Sequence, residues 1–168
     1  MMISVGWYSN SISGDQLESL DRIKTRFGTV EVREKDYEER TIHIKNKALP
    51  IKEFIISIEK KWEIGGRDVL LILTSDRSSF CPATYSFLIL TARQAITSEQ
   101  FGNCSDIPDV SKTGNSILVK FPRMNRNAPA ETVEYDDKDG NIYGMISQVI
   151  GNKAVSKPGK LQLTTTPF

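Results

Sequence analysis

The sequence is poorest in the residues that most often carry chemistry. Its 168 residues include one histidine, His43, and two cysteines, Cys81 and Cys104. These are too few imidazole and thiolate ligands for a metal site of their own, and no metal or cofactor is expected. A redox Cys-x-x-Cys motif and a Gly-x-Ser-x-Gly nucleophile elbow are both missing. So is an excess of charge: 22 basic residues face 21 acidic ones. Arg33, Glu34, Lys35 and Asp36 mix signs residue by residue, as a solvated strand surface does. No basic face for nucleic acid is expected. No run of about 18 apolar residues occurs, so no membrane-spanning helix is expected. Met1 to Tyr8 lacks the basic segment and apolar stretch of a signal peptide. This start fits either a cytoplasmic chain or an exported one whose signal has been removed.

What is present is ordinary globular material, 39% hydrophobic and 26% charged, enough for one domain with a real core. The pattern predicts a mainly β fold with one helix near the start. That helix is expected over about Gly14–Phe27. Ser13 and Gln16 have capping-box spacing, Asp15 places negative charge near the positive helix end, and Leu17, Leu20, Ile23 and Phe27 fall near one face. Gly28 would end it in a left-handed conformation.

After Gly28 the apolar period drops to two. Val30 and Val32, then Ile42 and Ile44, alternate with polar neighbours and predict a hairpin across Lys35–Glu39. Phe54–Ile58 reads as a strand beyond Pro50, and Gly65-Gly66 as a turn. Val69–Leu73 and Thr84–Thr91 are apolar on both faces, which suits central strands covered on two sides. Shorter strands are expected at Ile96–Phe101, Ile117–Phe121, Thr132–Tyr135 and Ile142–Ile146. The architecture expected is an antiparallel meander, sandwich or barrel-like sheet with the helix packed on it. Residues 1–150 form the single domain, and 151–168, rich in Lys, Gly, Pro and Thr, a mobile or loosely held tail.

Cys81 precedes one predicted strand and Cys104 follows the next. In an antiparallel hairpin these positions lie side by side at the open end, where a disulfide can form. Closing a loop of this length stabilises by about 3 kcal/mol in the chain-entropy model. The alternative is a pair of buried thiols in a reducing compartment. Several motifs cluster around this pair: Gly66, Asp68-Val69-Leu70-Leu71, Cys81-Pro82-Ala83-Thr84-Tyr85, Phe101-Gly102-Asn103-Cys104-Ser105-Asp106 and Phe121-Pro122. In these the stretch from about Gly65 to Tyr135, under half of the chain, resembles small exported proteobacterial proteins of unassigned function. The resemblance implies an exported, disulfide-bonded β domain and carries over no catalytic residue. The lack of a signal peptide departs from it.

Other candidate chemistry reads better as structure. Ser57-x-x-Lys60 and Lys112-Thr113-Gly114 match two elements of penicillin-recognising serine enzymes. However, the serine lies in a predicted strand, and Lys112–Asn115 suits a hairpin turn. His43 alternates with Ile42 and Ile44 and has no orienting partner or nucleophile in its pattern. Asp136, Asp137 and Asp139 sit in an Asp-Gly turn that lacks the glutamate of an EF-hand. Trp7, Tyr8 and Trp62 read as packing residues, or as a binding patch if exposed.

Asp106 and Asp109 flank Ile107-Pro108 just past Cys104. With Glu131, Glu134 and the Asp136 turn they predict a rigid acidic surface for a basic protein partner. The function expected is thus non-catalytic: a protein-binding protein of the bacterial envelope, periplasmic or exported, such as an immunity protein or an inhibitor of a secreted toxin or hydrolase. The alternative is a small-molecule or lipid-binding β module, suggested by the continuous apolar strands.

Overall fold

Three antiparallel meanders follow one another along the chain and stack face to face. The structure, a computed structural model, describes residues 18–35, 39–78, 80–124, 130–138, 141–150 and 153–168. Layer A contains β1 (Glu18–Thr25), β2 (Gly28–Lys35), β3 (Glu39–Ile44) and β4 (Lys47–Glu53) in sequence order. Layer B contains β5 (Ile55–Ile64), β6 (Arg67–Ser75), β7 (Thr84–Leu90) and β8 (Gln94–Ser98). Layer C contains β9 (Asp109–Thr113), β10 (Ser116–Phe121), β11 (Glu131–Asp136), β12 (Asn141–Ile150) and β13 (Lys153–Lys160). The last strand, β14 (Leu163–Pro167), leaves layer C and pairs with β8 at the edge of layer B.

Layer B lies in the middle, and its sequence says why. β6 and β7 are apolar at nearly every position, so both of their faces need cover. Val69, Leu71, Phe87 and Ile89 pack with Ile117, Val119, Val133 and Tyr135 of layer C. Leu70, Ile72, Leu88 and Leu90 pack with Val30, Val32, Ile42 and Ile44 of layer A. Each of these residues is at most 1% exposed, and each such burial contributes about 1.5–3 kcal/mol. The outer layers alternate instead: Ile42 and Ile44 are buried, while Thr41 and His43 are partly exposed. Tyr85, Phe87, Phe101, Phe121 and Tyr135 add an aromatic cluster between layers B and C, with ring centroids 5.2 to 6.4 Å apart.

The expected helix over Gly14–Phe27 is corrected. Residues 14–17, with the cap at Ser13, lie outside the described residues, and Glu18–Thr25 forms β1, paired with β2. From Asp21 to Phe27 partial burial and exposure alternate with a period of two. Ile23 and Phe27 turn onto the core between layers A and B. A lone helix of this length is marginal in water, whereas a hairpin with β2 adds both a hydrogen-bonded ladder and apolar burial. Gly28, at φ +136°, serves the β1–β2 turn rather than a helix end.

The segment after residue 150, expected as a loose tail, supplies two edge strands, and Leu161 between them is buried. The sheets therefore continue past the expected boundary. The strand expected at Ile96–Phe101 is shorter and earlier: β8 stops at Ser98, and Phe101 makes a single bridge to Tyr85.

Turns at one end of the stack are tied by charge. The Arg26 backbone N–H and Nε donate to the fully buried Asp68 carboxylate at 2.7 and 2.5 Å. Its other nitrogens donate to the Gly65 and Arg67 carbonyls. Arg67 in turn donates to Asp137 at 3.3 Å, so the β5–β6 turn is linked to both outer layers. Gly65, at φ +54°, also needs its missing side chain: a Cβ there would stand 2.9 Å from Asp137 Oδ2.

Candidate functional site

The opposite end of β6 carries the longer loops, and the disulfide lies there. Tyr85 and Phe101 exchange two backbone hydrogen bonds of 2.8 Å. This bridge sets the register that brings Cys81, four residues before Tyr85, beside Cys104, three residues after Phe101. Their Cα atoms are 4.6 Å apart and the sulfurs are bonded at 2.06 Å. The hairpin-end reading of the pair holds.

The two bridged loops are anchored from several sides. Asn103 Nδ2 donates to the Pro122 carbonyl at 2.6 Å, and Asn103 Oδ1 accepts from Ser105 N–H. Ser105 is fully buried, and its hydroxyl accepts from Ile107 N–H. Gly102 N–H donates to Glu131 Oε1 at 3.0 Å. Burial pushes the Glu131 carboxyl above its ordinary value, against the opposing pull of that N–H. Gly102, at φ +111°, lies against the Phe121 ring, which would be 3.2 Å from a Cβ. On the other loop, Asp76 accepts from Ser78 N–H and Ser78 Oγ from Cys81 N–H. The Arg77 guanidinium lies 3.4 Å from the centre of the Phe54 ring, a cation–π contact.

This frame displays apolar side chains to solvent. Phe80 is 94% exposed, Ile107 72% and Met124 51%. Phe80 adjoins Cys81, Ile107 is three residues past Cys104, and Met124 is two past the Pro122 carbonyl that Asn103 holds. Among the described residues these are three of the four exposed large hydrophobics. Asp106 and Asp109 are exposed beside Ile107.

The expected acidic surface is not gathered in one place. Asp109 pairs with Lys120 and Asp136 with Ser116 in the ladders on either side of β10. Four steps of about 3.4 Å separate the two levels by roughly 14 Å. Asp137 belongs to the ionic end, where its Oδ1 accepts from Tyr135 Oη at 2.7 Å and from Arg67. Burial pushes the Tyr135 phenol up to about 12. Asp136 accepts from Lys138 N–H in the turn. Asp139 lies outside the described residues, as do Trp7 and Tyr8. Trp62 is partly buried against the core between layers B and C.

His43 projects from the outer face of layer A, opposite Glu31. Its Nε2 is 2.7 Å from Thr41 Oγ1. Burial, with Arg33 nearby, holds the imidazole below its ordinary value. Glu31 already accepts from both Arg22 and Arg33. Ser57 lies in β5, as the sequence indicated, and Lys112-Thr113-Gly114 runs from β9 into its turn in another layer. Among the described residues no three His, Cys, Asp or Glu side chains gather as a metal site.

Sequence reasoning missed Phe80, Ile107 and Met124. Their only signal is a lone large apolar residue inside a Ser-, Asp- or Pro-rich loop. No family model, curated protein or solved structure matches the chain.

Proposed function

We propose that the protein is a non-catalytic binding protein of the bacterial envelope, an immunity protein or inhibitor that docks a secreted toxin or hydrolase through its disulfide-braced end. The observation that carries this reading is the display of Phe80, Ile107 and Met124 on covalently and hydrogen-bonded loops. Large apolar side chains held in place on a surface are the usual anchors of an interface, because little ordering entropy remains to be lost on docking. Asp106 and Asp109 at the rim suit a partner with a basic border, where they would speed encounter more than they would strengthen the complex. The disulfide supports an oxidising compartment. No helix among the described residues is long and apolar enough to cross a membrane.

The test compares the wild-type chain with the double variant Phe80→Ser/Ile107→Ser as baits for envelope and secreted proteins of the producing bacterium. A protein retained by the first with sub-micromolar affinity and lost by the second is expected. Equal capture by both, or no such partner, would end the proposal.

A further inference from the structure

Layer A sorts its charges by sign. Its strands alternate, so Val30, Val32, Ile42 and Ile44 face layer B and the residues between them face outward. Three acid–base neighbours in the sequence are split by this alternation. Asp21 turns inward and accepts from the Ile58 N–H at 2.9 Å, while Arg22 faces out beside Glu31. Glu34 turns inward to Arg40 at 3.5 Å, while Arg33 faces out beside Thr41. Glu53 turns inward and accepts from Gln100 Nε2 at 3.3 Å, while Lys52 faces out. Each carboxylate is engaged on the inner side, and each cation is left on the outer one.

Two lysines extend the row. Lys24 lies two residues beyond Arg22 on the same face, and Lys45 follows β3 in the adjoining turn. Both are exposed, and neither makes an ion pair among the described residues. The Lys45 ammonium lies 4.4 Å from the centre of the Phe168 ring, a contact that leaves its charge uncompensated. Among the described side chains, two carboxylates share this face. Glu31 bridges Arg22 and Arg33, and Glu39 lies 3.7 Å from Lys52. By joining two guanidiniums, Glu31 fixes them in place before any partner arrives, which lowers the ordering cost of docking. Arg22 remains 63% exposed. A depression of about 200 Å³ lies in the middle of this face, with Arg33, His43, Lys45, Thr29 and Asn46 in its lining. The excess of cations is local, since the whole chain holds 22 basic and 21 acidic residues.

The spacing narrows the partner to one class. Side chains two residues apart on a strand stand about 7 Å apart, and those on adjacent strands about 5 Å. Duplex DNA carries one charge per about 1.7 Å of its axis, too dense for this grid to match. Single strands are held by stacking on aromatic side chains, whereas Thr29, Thr41 and Ala48 stand between these cations. A membrane surface is gripped by apolar side chains as well as charge, and the exposed ones are Phe80, Ile107 and Met124 at the braced end. An extended sugar chain with an acidic group on each repeating unit presents its charges at the intervals of the grid.

We propose that the outer face of layer A binds a linear acidic polysaccharide. This face is distinct from the disulfide-braced end, so it succeeds or fails independently of the protein-binding reading.

Amide chemical shifts of the full chain, titrated at low salt with a heparin hexasaccharide and with an oligouronate, test it. Saturable shifts at Arg22, Lys24, Arg33 and Lys45 are expected for at least one probe, and they should fade as added NaCl screens the charges. Lys24→Glu/Lys45→Glu should weaken that probe about tenfold or more and leave the chain folded, since both positions are exposed. Lys120→Glu/Lys138→Glu makes the same change of net charge on layer C and should bind like the wild type. No saturable shift with either probe would overturn the proposal. Equal weakening by the two double variants would overturn it too, since net charge rather than this face would then be responsible. So would tighter binding of a DNA duplex, or of phosphatidylglycerol vesicles, through the same residues.

Discussion

The two ends of β6 use their polar residues in opposite ways. At the Gly65 end, Arg26, Asp68, Arg67, Asp137 and Tyr135 turn toward one another and fasten three layers with charge. At the Cys81 end, Asn103, Ser105, Ser78 and Glu131 turn inward to satisfy loop backbone, and Phe80, Ile107 and Met124 are left outside. Charged groups that hold layers together are not available to a partner. The end whose polar groups are consumed by its own loops is the one left with apolar surface to offer.

Removing the covalent brace should have the largest effect. Cys81→Ala/Cys104→Ala is expected to lower unfolding free energy by about 3 kcal/mol in urea titrations and to abolish partner capture as well. Asp68→Ala acts on the other end. It deletes a buried acceptor but leaves Arg26 partly open to water, so a loss of about 2 kcal/mol with partner capture intact is expected. If Asp68→Ala weakened capture as much as loss of the disulfide, the division between the ends would be wrong.

Phe80→Ala should separate binding from stability most cleanly. The side chain buries nothing in the free protein, so the thermal midpoint should not move. Affinity for a captured partner should fall about thirtyfold, the equivalent of an anchor worth about 2 kcal/mol.

The smallest effect is on pH dependence at the braced end. Burial raises Glu131 above its ordinary 4.5, so between these values the native chain holds a proton that the unfolded chain has released. Stability from this group is present below 4.5 and is lost as pH rises through the native value. Glu131→Gln, which cannot ionise, should remove that decline in a series of melts across the acid range.

Some of this was legible from residue order. Val69–Leu73 and Thr84–Leu90 are apolar on both faces, and only a doubly covered strand tolerates that. Cys81 and Cys104 sit at the open end of one hairpin, so local pairing alone brings them together. Gly65-Gly66 and Lys112–Asn115 turn where their residue types permit it. Strand β1 was not legible, because Leu17, Leu20, Ile23 and Phe27 satisfy a helical spacing while the decisive interaction, the ladder with β2, is a tertiary choice between two local options. The acidic surface failed for another reason. Asp109 and Asp136 are linked through a meander, and each reversal carries the chain to the far end of a strand.

Alone, the order of residues determined that the chain would be mostly strands, which of them would lie in the middle, and which cysteines would meet. Each of these follows from alternation and neighbour pairing, which act over a few residues or one hairpin. Tertiary structure decided that the meanders stack as three layers, that β14 crosses to β8, and that Asp137 faces Arg67 rather than a partner. Those outcomes depend on which surfaces from distant parts of the chain exclude water together, and no local pattern encodes that.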